Sequence, residues 1–172
     1  CRENSGHDPA RCSVNLEMSM TLPVNFEHVC DIRVLVAIPL EFGDTGLGER
    51  RIIDITGGTI SGPKFSGKVR HGGADYQIIR PNGLTELHAR YTLEDDAGRL
   101  VYVVNDGIRF GPKEALDRIK RGEPVDPALI YFRAFPKFET AAPDYQWMME
   151  SLFVCTGVRR PDAVELSIYR FE

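Results

Sequence analysis

Thr85-Glu86-Leu87-His88-Ala89-Arg90-Tyr91-Thr92-Leu93-Glu94-Asp95-Asp96-Ala97-Gly98-Arg99-Leu100-Val101-Tyr102-Val103-Val104-Asn105 is the stretch that decides the fold class. A period of two sets Leu87, Ala89, Tyr91 and Leu93 against His88, Arg90 and Thr92, which is a strand with one apolar face. The segment 94–98 is short, acidic and ends in Gly, so it turns the chain back and a second strand follows from 99. Upstream, Pro81-Asn82-Gly83 tolerates positive φ and joins 74–80 to 85–94 as another hairpin. The same punctuation recurs outward in both directions. It predicts strands near 26–40, 50–56, 63–70, 129–135, 151–157 and 164–171, with 16 Gly and 11 Pro supplying the turns. Two helical pieces interrupt them. One spans 112–121, with Pro112 at its start, Lys120 and Arg121 in its last turn and Gly122 beyond; the other runs from about 144 to 150. No repeat and no low-complexity linker divides the chain. The expected fold is all-β, a single antiparallel β-barrel of about eight or nine strands with one or two short helices; a sandwich is the alternative. Residues 1–25 read as a polar N-terminal arm and 26–172 as the single barrel domain.

With 172 residues, 42% of them hydrophobic and 27% charged, the chain buries a core of its own. Its net charge of −4 leaves no broad basic face, so no nucleic-acid partner is expected. The longest apolar run, Val34 to Ile38, falls far short of the roughly 20 residues of a transmembrane helix. Four cysteines stand at 1, 12, 30 and 155, without a CxxC pair. Cys30 and Cys155 fall in strand-like runs and read as small buried hydrophobes, whereas a Cys1–Cys12 disulfide would close a short polar arm. The start at Cys1 favours a processed secretory chain over a cytoplasmic one and also resembles a lipoprotein anchor, while no Asn-x-Ser/Thr site adds to the secretory case.

Chemistry is narrowed first by the motifs that do not occur: GxGxxG opening a helix, GxxxxGK[ST], HExxH and GxSxG. His7, His28, His71 and His88 are scattered, so no metal and no cofactor is expected. In Gly72-Gly73-Ala74-Asp75-Tyr76-Gln77-Ile78-Ile79-Arg80, alternation groups Asp75 and Gln77 on one face. In Tyr131-Phe132-Arg133-Ala134-Phe135-Pro136-Lys137-Phe138-Glu139-Thr140, two rings are mixed with Arg133 and Glu139 in a strand that Pro136 marks as an edge or a bulge. If Arg133 and Glu139 turn inward with Asp75, two carboxyls and a cation share one apolar cavity, where burial and the Arg drive carboxyl pKa values apart. The bland reading is a buried Arg–Glu pair that joins strands. Arg90 is solvent-facing unless the inner face of the barrel is the polar one. Asn105-Asp106-Gly107 with Arg109 reads as a turn, with a polar rim as the other reading. Trp147, with Tyr145 and Met148, reads either as core or as the lining of a pocket.

Taken in order, Gly57-Gly58, Gly72-Gly73-Ala74-Asp75, Ala89-Arg90-Tyr91-Thr92-Leu93, Tyr131-Phe132-Arg133, Phe138-Glu139-Thr140 and Ala142-Pro143-Asp144-Tyr145-Gln146-Trp147 resemble domain-of-unknown-function family 3237 over about 46–171. Two departures stand out: Asp54 where Pro is expected before Ile55-Thr56-Gly57-Gly58, and Cys155 where Gly commonly follows Phe-Val. Members of that family are similar in shape to allene oxide cyclase and the dirigent proteins. The resemblance implies a small barrel with an apolar cavity, used for cofactor-free cyclisation or isomerisation of the kind met in secondary metabolism. The leading expectation is therefore an isomerase or cyclase acting by acid–base catalysis on a hydrophobic oxygenated small molecule. Asp75 or Glu139 would move the proton, Arg90 and Arg133 would stabilise developing negative charge, and Tyr91, Gln77, Asn105, Phe138 and Trp147 would bind the substrate. A lipocalin-like carrier and an oligomeric structural protein are the competing classes. A homodimer is expected, because small barrels often cover an apolar outer face by self-association.

Overall fold

A computed structural model of the chain describes residues 24–172. Ten strands carry most of it: β1 (Phe26–Val36), β2 (Leu40–Asp44), β3 (Glu49–Ser61), β4 (Gly67–Val69), β5 (Ala74–Ile79), β6 (Thr85–Asp95), β7 (Leu100–Phe110), β8 (Tyr131–Glu139), β9 (Phe153–Arg159) and β10 (Ala163–Phe171). All pair antiparallel, in the ring β1-β10-β9-β8-β7-β6-β3 and back to β1, with β4 and β5 lying end to end between β6 and β3. That closes an eight-position barrel and removes the exposed sheet edge. β2 stands outside the ring, folded back on the first residues of β3.

Local chemistry explains the elements. Gly83 adopts φ 86° and its N–H donates to Arg80 O at 2.8 Å, closing the β5–β6 hairpin. The β6–β7 hairpin closes through Gly98, at φ 81°, whose N–H donates to Asp95 O at 3.0 Å. The Asp95 carboxylate is held in place by the backbone N–H groups of Ala97 and Arg99, the Arg99 guanidinium and the Tyr145 hydroxyl. One α-helix, α1 (Lys113–Lys120), follows Pro112 as expected and buries Ala115 and Ile119. The piece expected near 144–150 is instead a 3-10 turn, Pro143–Met148, with Met148 buried.

Two strand expectations are corrected. The run 26–40 ends at Val36, and after Pro39, which has no N–H to give a ladder, Leu40–Asp44 turns away as β2. The expected turn at Asn105-Asp106-Gly107 is continuous strand: β7 pairs with both neighbours through Arg109 and with β8 through Phe110. Gly107 belongs there for a packing reason, since a Cβ would lie 2.5 Å from both Ala134 Cβ and Arg133 O. Pro136 lies two residues past the last β8–β9 pair, Ala134 with Cys155, so its missing N–H costs no ladder bond on that side.

The barrel is filled unevenly. At one end Leu93, Val101, Val103, Cys155 and Ile168 are fully buried, and Phe138 meets Phe153 edge-on at 4.9 Å beneath the 3-10 turn that carries Trp147. Toward the other end the inner positions include Ala89, Gly107, Ala134 and Gly157, which have little or no side chain, and space opens between the strands. Cys30 and Cys155 are buried free thiols, as expected, and burial pushes both up to about 12. Cys1, Cys12 and nearly all of the arm lie outside the described residues. Among the described residues, no helix is long and apolar enough to cross a membrane.

Candidate functional site

The space inside the open half of the barrel is a cavity of about 50 Å³. Its apolar wall comes from Val34, Val36, Ile53, Ile55, Leu87, Ala89, Phe132, Ala134, Val164 and Leu166, two residues from each of β1, β3, β6, β8 and β10 by the period-two rule. Its polar groups are Asp75 and Gln77 from β5, Tyr91 from β6, Asn105 from β7 and Arg159 from β9. A volume of that size holds a few water molecules, so a larger guest enters by displacing the wall.

Asp75 is the chemical centre. It lines the cavity from β5, half-buried, and burial raises its pKa above the ordinary carboxyl value. Two hydrogen bonds oppose that rise: Gln77 Nε2 donates to Asp75 Oδ2 at 2.6 Å and the His88 backbone N–H donates to Asp75 Oδ1 at 3.0 Å. The Arg109 charge opposes it further. Around this carboxyl, hydrogen-bonding capacity is left unspent on protein. Gln77 Oε1, Tyr91 Oη, Asn105 Oδ1 and Arg109 Nε are buried without an aligned partner among the described residues. Asn105 lies close enough to Tyr91 and Cys155 to draw both titrations down, but it does not satisfy the Tyr91 hydroxyl. Burial dominates at Tyr91 and keeps its phenol protonated. Each such buried polar atom costs on the order of 1–3 kcal/mol, and four of them gather around Asp75.

Asp75, Gln77, Tyr91 and Asn105 thus come together; the alternation groups Asp75 with Gln77, whereas Asn105 arrives from a continuous strand in place of the expected turn. The other residues do not join them. Arg90 points outward, where its Nη1 donates to Asp106 Oδ1 at 2.8 Å beside the His88 ring. Arg133 is outward as well, donating from Nη1 to Phe132 O at 2.8 Å and lying over the Tyr131 ring. Glu139 is exposed at the end of β8. The expectation that Arg133 and Glu139 turn inward with Asp75 is corrected by the pleat itself: Phe132, Ala134, Pro136 and Phe138 are the buried set of β8, which leaves 133 and 139 on the opposite face. Phe138 and Trp147 belong to the filled end, Trp147 half-buried against Phe153 and under Arg170.

The cations that do reach the interior are Arg51, Arg109 and Arg159. Arg51 and Arg109 are 4% and 3% exposed, and Arg159 lines the cavity. Their signal was present in the sequence. Arg51 keeps step with Ile53 and Ile55, Arg109 with Val103 and Asn105, and Arg159 with Phe153 and Cys155. Arg51 Nε lies 2.9 Å from Glu41 Oε1 on β2, within ion-pair distance but off the N–H direction. Arg159 is pinned by two bonds from Nη1, to Arg160 O at 2.5 Å and Ala163 O at 2.9 Å. Among the described residues, no three His, Cys, Asp or Glu side chains gather as a metal-binding group.

Comparison with known proteins gives a consistent result. The family described as "Protein of unknown function (DUF3237)" matches residues 24–171. A UPF0311 protein of Rhodopseudomonas palustris is 49% identical over 151 residues, covering 88% of this chain and 99% of its own. The crystal structure of that bacterial protein, whose function is unknown, superposes with a TM-score of 0.85 at 48% identity, over 88% of this chain and 100% of the other. A crystal structure described as a beta-barrel like protein from Acinetobacter baumannii AYE has a TM-score of 0.78 at 36% identity, over 88% of this chain and 98% of the other. An enzyme of Penicillium herquei shares the fold at 18% identity, with a TM-score of 0.67 over 90% of this chain and 98% of the other.

Proposed function

The chain belongs to the DUF3237 family of proteins of unknown function, and from that premise we propose that it is a cofactor-independent proton-transfer enzyme, an isomerase or cyclase, acting on a small oxygenated and largely apolar molecule. The observation that carries this reading is Asp75: a carboxyl on the wall of a mostly apolar cavity, with its pKa raised and one oxygen accepting from the Gln77 amide. A carboxyl whose pKa is raised above its ordinary value is a stronger base when ionised and can still return the proton it takes. Gln77 suits both states. Its Nε2 donates to the carboxylate, and after a flip its Oε1 accepts from the protonated acid.

For a ring closure, the Asp75 carboxylate accepts the proton of a substrate hydroxyl while that oxygen bonds to the carbon of a carbonyl-conjugated double bond that is remote from the carbonyl. The π electrons move onto the conjugated oxygen as an enolate, and Asp75 then returns the proton to carbon. The product is an isomer of the substrate, and no electrons are gained or lost. Tyr91 Oη and the Asn105 amide are the nearby donors for the enolate oxygen, and the apolar wall holds the chain in its reactive conformation. The same wall would suit a carrier that binds without chemistry, and the test below separates the two.

The wild type is incubated in D₂O with a small-molecule extract of the source organism, and mass-resolved chromatograms are compared with those from Asp75→Asn. A compound that changes retention at constant mass, or gains deuterium over many turnovers, is expected with the wild type alone. Losing general acid–base help lowers the rate by about 10²–10⁴-fold. Equal turnover by the folded variant refutes the assignment of Asp75, and a compound that only co-purifies unchanged supports the carrier.

A further inference from the structure

We infer that the molecule handled in this cavity carries a carboxylate, held by the guanidinium groups of Arg109 and Arg159; the inference names the substrate class of the proton-transfer site proposed above and rests on that reading. Three arginines come from three strands to the open end of the barrel: Arg51 from β3, Arg109 from β7 and Arg159 from β9. They are near enough to act on one another. Arg51 and Arg159 both weigh against the charge of Arg109, and Arg51 against that of Arg159. One carboxylate inside the barrel, Asp75, faces all this positive charge. At the rim Glu41 is engaged with Arg51, and the exposed Asp162 is engaged with Arg33. Burying guanidinium groups without matching anions is costly, and proteins retain such charge where an anion is bound.

Geometry adds a direction. Arg109 is buried, its Nε finds no acceptor among the described residues, and it borders an outer hollow of about 400 Å³ while its charge acts on Asp75 of the cavity wall. That hollow lies under α1 and is bordered by Arg80, Thr85, Lys113 and Lys120. Arg159, on the cavity wall, spends Nη1 on two backbone carbonyls, which fixes the plane of its guanidinium. Two planar forks, one on the wall of the apolar cavity and one within range of both Asp75 and the first, match the paired oxygens of a carboxylate better than they match a lone hydroxyl. Burial lowers the Arg109 pKa only to about 10, so it remains a cation at neutral pH. A carboxylate seated there would hold the apolar remainder of the molecule within the reach of Asp75.

The test titrates the full chain with propionate and with its uncharged analogue propionamide, followed by NMR on the arginine Nε–H resonances. Propionate is expected to bind at least tenfold tighter than propionamide and to move the Arg109 and Arg159 signals. Arg109→Gln is expected to weaken propionate at least tenfold and leave propionamide unchanged; should it not fold, Arg159→Gln carries the same expectation. Equal affinities in the wild type, including no binding of either, overturn the inference, as does unchanged propionate affinity in a folded arginine variant. Asp75→Asn is expected to keep or tighten propionate binding. A turnover failure in that variant therefore bears on the proton-transfer reading, and a binding failure bears on this one.

Discussion

Gly157→Ala tests whether the inner wall of the barrel is packed as described. Gly157 lies on β9 across from Phe132, and a Cβ built there would stand 2.7 Å from three carbons of the Phe132 ring. Carbon atoms in contact settle at about 3.5–4.0 Å, so the ring would have to retreat by about 1 Å. Phe132 is 6% exposed and lines the cavity, and its retreat crowds neighbours or consumes cavity space. Added methyl groups in packed interiors cost about 1–3 kcal/mol. For a domain of this size that is a fall in melting temperature of roughly 3–10 °C, read by calorimetry or by circular dichroism. The second half of the experiment is Phe132→Leu, which removes the ring carbons that the new methyl meets. In the double variant the cost of the alanine should largely vanish, leaving a coupling of about 1 kcal/mol or more. If Gly157→Ala melts with the wild type, or if the two costs simply add, the contact between Gly157 and Phe132 does not govern this wall and the reasoning fails.

Two further outcomes follow from the same geometry. Because burial raises the Asp75 pKa, its contribution to stability is fully present below the unfolded value of 3.8 and is lost as pH rises through the folded value; Asp75→Asn, which keeps the acceptor for the His88 N–H and lets Gln77 flip, should therefore melt above the wild type at pH 7, and the gap should close below pH 3.8. Thermal melts across pH 3–8 check this, and a variant less stable than the wild type at pH 7 would refute it. Arg133→Gln and Glu139→Gln face away from the cavity and should leave both turnover and propionate binding unchanged; loss of either in a folded variant would show that the outer face takes part.

The alternation of Leu87, Ala89, Tyr91 and Leu93 made β6 and its inner face legible from the sequence, and the same period placed Asp75 with Gln77. Pro81-Asn82-Gly83 and the acidic turn ending at Gly98 fixed two hairpins, because turn chemistry is local. The period along β8 also set Arg133 and Glu139 outside. Expecting them inside meant preferring a plausible constellation of charges to the pleat. The 105–107 segment looked like a turn because Asn, Asp and Gly are turn residues, yet Gly107 serves a close strand approach that only the β8 neighbour reveals.

What the sequence by itself determined was which side chains share a face on each strand, since a backbone that reverses direction at every residue needs no partner to do so. Which faces meet was decided by closure. Arg51, Asp75, Arg109 and Arg159 lie on four strands and up to 108 residues apart, and only the antiparallel register around a closed ring brings them within range of one another. Register is a property of pairs of strands, set by hydrogen bonding and core packing across the barrel, and it is absent from any single strand read alone.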